Sequence, residues 1–227
     1  MRGESGPLLR RIHLKSYNLQ RGYYFRPSGE CRSLRRWSGR PAHGPTPGVT
    51  NGFGAALWTV DFLFHNAFLQ STGINLNGGA NKAEGYSPLF DNGTDVVKIG
   101  PEYYGLLAYS MLVKGGTLMT TQVTPAPANF SAYAVEETDG STDLILSNKD
   151  PVNTLAVGVS PQNSISRASS LLMTAPAMTA TKEFTLGGRS VGIDGNWEPT
   201  SNPTLPIVSN SAVVTIPPGS AQIVHME

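Results

Sequence analysis

Gly48-Val-Thr-Asn-Gly-Phe-Gly-Ala-Ala-Leu-Trp-Thr-Val-Asp-Phe-Leu-Phe64 opens the stretch whose reading decides the fold. Phe53, Ala56, Leu57, Val60, Phe64, Ala67 and Phe68 recur at spacings of three and four. That pattern predicts a core-facing helix over 51–70. Trp58, Phe62 and Leu63 widen the stripe, so burial on more than one side is expected. Thr50 or Asn51 supplies a short polar side chain able to cap its first free N–H groups. Thr72 to Leu76 then reads as a short strand, ended by Asn77-Gly-Gly79. A polar loop through Gly85-Tyr86 reaches to about Gly100. Pro101, a favoured first-turn residue, opens a second helix. Its apolar face is Tyr104, Leu107, Ala108, Met111 and Leu112, and Gly115-Gly116 stop it.

Helix, strand, glycine-rich strand end, loop and helix in that order suit the last units of a (β/α)8 barrel, whose chemistry sits where strands run into loops. A whole barrel needs roughly 250 residues, and this stretch supplies fewer than two units. After Gly116 the apolar period changes from helical to two-fold. Strands are expected at 117–123, 132–136, 143–147, 154–159, 183–186, 212–216 and 222–225, separated by Gly, Pro, Asn and Asp. Short strands at such intervals indicate an antiparallel β-sandwich. The fold class expected is therefore α+β, barrel units followed by a sandwich. Three segments result: a basic arm over 1–47, the barrel portion over 48–116 and the β-domain over 117–227.

Charge is distributed to match that division. The chain has 227 residues, 15% of them charged, and a net charge of +1. Residues 1–50 hold ten of the 17 Lys and Arg but only Glu4 and Glu30 as acids, a balance of +8, and the remainder carries −7. The arm has no sustained period; only Gly22-Tyr-Tyr-Phe25 resembles a short strand. It is either an unstructured or foreign coding segment or a patch for an anionic polysaccharide. Arg32, Arg35, Arg36 and Arg40 have no interleaved aromatic ladder, and no nucleic-acid partner is expected. Cys31, the single cysteine, excludes an internal disulfide framework. No apolar run approaches the roughly 18 residues of a membrane span, and the first residues lack a signal-peptide core.

Glu30, in Ser28-Gly-Glu-Cys-Arg-Ser33, follows the possible strand 22–26. A carboxylate at that end of a barrel strand is where a glycosidase nucleophile belongs; the alternative is a solvated loop acid. A retaining glycosidase needs a second carboxyl group about 5–5.5 Å away. Asp61 inside the first helix and Glu102 at the start of the second read better as a buried polar contact and a helix N-terminal charge. Gly85 and Tyr86 offer an N–H beside a phenol, able to hold a sugar carboxylate or hydroxyl, or else to anchor a loop. Asn77, with Asn75 and Gly78-Gly79, makes a polar strand end of ligand-facing composition. His13, His43, His65 and His225 are dispersed without metal-ligand spacing. No metal and no cofactor are expected.

Pro47 to Tyr109 resembles the end of the catalytic barrel of glycoside hydrolase family 79, the β-glucuronidase and heparanase-like enzymes. Thr185-Leu-Gly-Gly-Arg-Ser-Val-Gly-Ile-Asp-Gly-Asn-Trp197 and Val214-Thr-Ile-Pro-Pro-Gly-Ser-Ala-Gln-Ile-Val224 resemble the C-terminal β-domain of its fungal and bacterial members. The resemblance implies an extracellular retaining hydrolase acting on a glucuronic-acid-containing glycan. It maps the nucleophile onto Glu30 and recognition of the sugar carboxylate onto Gly85 and Tyr86. Arg32 stands where the family has Asn, and Asn77 where His is common. It also implies that the acid/base glutamate and most of the barrel lie upstream of the matched residues. The 227-residue chain alone is then expected to be inactive and to pair with the rest of the barrel. The alternative is a non-catalytic β-sandwich module that binds a glycan or a partner.

Overall fold

The computed structural model describes residues 46–76, 87–125, 127 and 129–227, and the backbone of 10–15. Helix α1 spans Gly54–Phe68 and α2 spans Pro101–Leu112. The capping of α1 differs from the sequence expectation. Phe53 is the N-cap and no side chain caps the helix. The Phe53 and Gly54 N–H groups instead donate to the carbonyls of Ala180 and Met178, at 2.9 and 2.8 Å. Asn51 is spent one turn earlier, where its Oδ1 accepts from the Gly48 N–H. Gly52 makes the knot possible, since a Cβ there would lie 2.5 Å from the Gly48 carbonyl oxygen. Pro101 does open α2, as its sequence implies.

Twelve strands complete the described fold: β1 Arg10–Lys15, β2 Leu89–Asp91, β3 Val96–Ile99, β4 Thr117–Thr124, β5 Phe130–Glu136, β6 Thr142–Asn148, β7 Leu155–Ser160, β8 Ala168–Thr174, β9 Thr185–Leu186, β10 Ile207–Val208, β11 Ser211–Ile216 and β12 Ser220–Met226. Ten of them form one sheet in the order β10-β11-β7-β1-β4-β5-β6-β12-β8-β9. Its ladders are antiparallel except for β1 beside β7. β4 is shared by both halves: Thr117 to Met119 pair with β5, and Thr120 to Thr124 pair with β1. Val157, Val159, Ala212 and Val214 from one half pack with Ala134, Leu144, Leu146 and Val224 from the other. The two halves of the sheet therefore pack together around an apolar core.

The outer face of β5, β6, β12 and β8 is covered by the helices. Ile145, Val135, Leu171 and Ile223 join Phe53, Leu57, Val60, Phe64 and Leu112 in a second core. Strand periodicity explains the partition, because alternate residues point to opposite faces. Leu144 and Leu146 enter the inter-strand core while Ile145 enters the helix-side core. This is why all seven residues of β6 are buried. Phe64 is fully buried, stacked on Tyr133 at 4.7 Å and edge-on to Tyr109 at 4.9 Å. Burial of such a ring stabilises by about 1.5–3 kcal/mol.

The molecule is thus mixed α and β with mostly antiparallel pairing. Several local expectations are corrected. Residues 73–76 carry no strand; a strand exists through its ladder, and no described strand runs beside them. The loop after residue 86 contains the hairpin β2–β3, whose turn is built by Asn92 Oδ1 accepting from Thr94 and Asp95 N–H groups. Strands β8 and β10 were not foreseen. The basic arm, expected to lack regular structure, supplies β1, inserted between β4 and β7. Among the described residues no helix is long and apolar enough to cross a membrane.

Candidate functional site

Glu30, Asn77, Gly85 and Tyr86 all lie outside the described residues. The structure describes the residues on either side of the segment that carries three of them. Asn75, on the approach from α1, is exposed and outside any strand. Ser87 is 3% exposed and donates its hydroxyl to the Leu89 carbonyl at 2.6 Å. The Gly100 N–H donates to Pro88 O at 2.8 Å, closing the base of the β2–β3 hairpin. A Cβ at Gly100 would lie 2.2 Å from the Ser87 carbonyl oxygen, so this closure requires glycine. Ser87 and Pro88 are therefore pinned directly onto the N-terminus of α2.

Glu102 stands in that first turn and is 5% exposed. Burial pushes its carboxyl from the ordinary 4.5 up to about 7. A helix N-terminus favours the charged form, so desolvation outweighs the dipole here. A carboxyl group that titrates near neutrality can give or take a proton under mild conditions. The sequence reading of Glu102 as an N-terminal charge missed this. The signal was its position immediately before the buried Tyr104 face, which turns the first turn inward.

Asp61 bears out its reading as a polar contact. The Ser131 hydroxyl donates to its Oδ1 at 2.6 Å, and the Lys149 ammonium pairs with its Oδ2. Tyr133 next to it is held protonated far above the ordinary phenol range, by burial first and by the Asp61 charge next. This group ties α1 to β5 and to Lys149 just after β6. His65, expected at the core edge, is exposed in the last turn of α1. Among the described residues no three His, Cys, Asp or Glu side chains gather into a metal-holding group.

The motifs behind the resemblance are occupied with folding. Gly187 has φ +56°, and a Cβ there would meet the Pro199 side chain at 2.6 Å. Trp197 donates its indole N–H to the Leu186 carbonyl at 3.0 Å. The Asp194 carboxylate accepts from the Asn196 N–H at 3.0 Å and from the Asn196 side-chain amide at 2.7 Å, and those bonds hold its pKa below the usual range. The Tyr104 hydroxyl accepts from the Val191 N–H and donates to Phe184 O, docking this loop on α2.

The chain is 28% identical over 169 residues to a β-glucuronidase of Neurospora crassa, an overlap of 67% of this chain and 28% of that protein. It spans less than a third of that relative's length. Its fold is glycoside-hydrolase-like. A GH51 arabinofuranosidase from Xanthomonas axonopodis pv. citri superposes with a TM-score of 0.59 at 16% identity, over 81% of this chain and 39% of that one. A 4-O-α-L-rhamnosyl-β-D-glucuronidase from Fusarium oxysporum 12S gives 0.59 at 18%, over 78% and 40%. A GH30 xylanase from Talaromyces cellulolyticus gives 0.53 at 12%, over 81% and 38%. No family model matches the chain.

Proposed function

We propose that this chain is the C-terminal portion of an extracellular retaining glycoside hydrolase of the β-glucuronidase type, within glycoside hydrolase family 79. It would combine the last (β/α)8 units with a β-sandwich, and its substrate would be a glycan bearing β-linked glucuronic acid. The observation that carries the reading is the 169-residue match to the Neurospora crassa β-glucuronidase. In this reading Glu30 attacks the anomeric carbon, and a second carboxyl group protonates the leaving oxygen, then activates water against the glycosyl-enzyme. Gly85 and Tyr86 hold the sugar carboxylate, with Asn77 lining the same strand end. One carboxylate cannot fill both roles, and the resemblance maps only Glu30 onto this polypeptide. The 227-residue chain by itself is therefore expected to be inactive.

The test is to assay two proteins on 4-nitrophenyl β-D-glucuronide, α-L-arabinofuranoside and β-D-xyloside. One is the 227-residue chain and the other is the product of the longest reading frame that contains it. Glucuronide cleavage by the longer product, abolished by Glu30→Gln, is the expected result. Cleavage of the arabinofuranoside or xyloside in its place overturns the substrate assignment. Glucuronide turnover by the 227-residue chain alone overturns the division of the two carboxyl groups.

A further inference from the structure

The helix-side face of the sheet is covered by α2 only as far as Leu112. Beyond that end, β6, β12 and β8 carry Asp143, His225 and Ser169 side by side, because Asp143 pairs with His225 and His225 with Ser169 in consecutive ladders. These residues open into a cleft of about 120 Å³. Its floor is apolar, made by Leu171, Ile223 and Met111. Its rim adds Lys114 from just past α2 and Asn202 from the loop before β10.

The polar groups fall into two sets. His225 Nδ1 lies 2.7 Å from Asp143 Oδ1. An ionised carboxylate only accepts, so Nδ1–H donates and fixes the ring. Asp143 is buried and His225 is 44% exposed on its side chain, so the pair presents the imidazole to the cleft. The second set is unspent: the side chains of Lys114, Ser169 and Asn202 make no hydrogen bond or ion pair among the described residues. The order Asp143, His225, Ser169 follows that of a nucleophile relay, but the Ser169 hydroxyl is not hydrogen-bonded to the imidazole, as such a relay requires. The arrangement is one for binding.

We propose that this cleft is a site for a single acidic pyranose, a uronate unit of a glycan. None of its lining residues belongs to the segment that carries Gly85 and Tyr86. A sugar ring has an apolar C–H face and an equatorial belt of hydroxyl groups. Leu171 and Ile223 meet the first; Ser169, Asn202 and the imidazole meet the second. Lys114 is the exposed cation at the rim and supplies the partner for the carboxylate. The volume is below the several hundred Å³ of a pocket that engulfs a whole ligand, so one ring edge is held and affinity is weak. The choice of a uronate over a neutral sugar rests on Lys114 and agrees with the glucuronidase reading, but the site needs neither Glu30 nor turnover.

The experiment titrates the full 227-residue chain with glucuronate, glucose and acetate, followed by amide and imidazole NMR shifts. Glucuronate is expected to shift Ser169, Asn202 and His225 with millimolar affinity. Lys114→Met is expected to weaken it about tenfold, the loss of one charge-assisted contact. Asn202→Ala is expected to weaken both sugars by a few-fold, with an unchanged spectrum elsewhere. Equal shifts from acetate reduce the cleft to an anion contact and overturn the proposal. Glucose binding as tightly as glucuronate overturns the role of Lys114. No shift at these residues overturns the site, and none of these outcomes bears on glucuronide hydrolysis by the longer product.

Discussion

Glu102 is the residue at which sequence and structure part most usefully. Its side chain is carried inward by the same turn that buries Pro101 and Tyr104. Its pKa rises from 4.5 to about 7 on folding, so between those values the folded state binds more protons than the unfolded one. Stability from this group is fully present below about pH 4.5 and is lost as pH rises through 7. A shift of this size corresponds to a penalty of roughly 3 kcal/mol above neutrality. Glu102→Gln is therefore expected to stabilise the chain by about 2–3 kcal/mol at pH 8 and by little at pH 4, measured by urea unfolding at both values. Equal effects at the two pH values would mean that the carboxyl is solvated. Asp61 was legible as a polar contact because it interrupts an apolar helix face. Asp143 and His225 were not, since each interrupts a different strand and only the β6–β12 register brings them together. Glu30, Asn77, Gly85 and Tyr86 lie outside the described residues, and their roles rest on the sequence pattern and the resemblance.

At the scale of elements, both helices and seven of the strands could be read from period and punctuation. The helices were readable because Phe53, Leu57, Val60 and Phe64 recur at helical spacing. β5, β6 and β12 alternate between two cores. β8 escaped because Ser169 and Ser170 sit at its start, so that half its apolar alternation is absent. β1 escaped for a different reason: Arg10–Lys15 is basic and short, and its strand identity comes entirely from β4 and β7 on either side. Ile12 pairs with Val123 in one neighbour and Val159 in the other. Ile12→Pro removes a ladder N–H from a central strand, which sheets tolerate only at edges. Hydrogen exchange should then accelerate at the amides of 120–124 and 157–160 while β12 stays protected. Unchanged exchange there would show that β1 does not hold the two halves together. In α2, Gly105 is needed for contact with α1, since a Cβ would lie 2.6 Å from the Ala56 carbonyl oxygen. Gly105→Ala, normally favourable by about 1 kcal/mol in a helix, is expected here to destabilise by about 1–3 kcal/mol through overpacking. Thermal unfolding measures it; a raised Tm would refute the close approach.

The whole molecule raises the question of whether a boundary near residue 116 separates two folding units. The sequence places one there because the apolar period switches from helical to two-fold. The structure shows one apolar core running across that point. Phe64 stacks on Tyr133, Asp61 accepts from Ser131, and Tyr104 bonds the chain at Phe184 and Val191. Stripping α1 and α2 away would leave Val135, Ile145, Leu171 and Ile223 without cover. An apolar patch of that kind is rare on a stable monomer. The sheet over 117–227 is therefore expected to unfold together with the helices in one transition. Far-ultraviolet circular dichroism and tryptophan fluorescence should give coincident denaturation curves. Limited proteolysis should leave no fragment beginning near residue 117 that outlives α1. Separate transitions, or a protected 117–227 fragment, would support the boundary, and the Phe64–Tyr133 stack would then be a docking contact between domains rather than part of a single core.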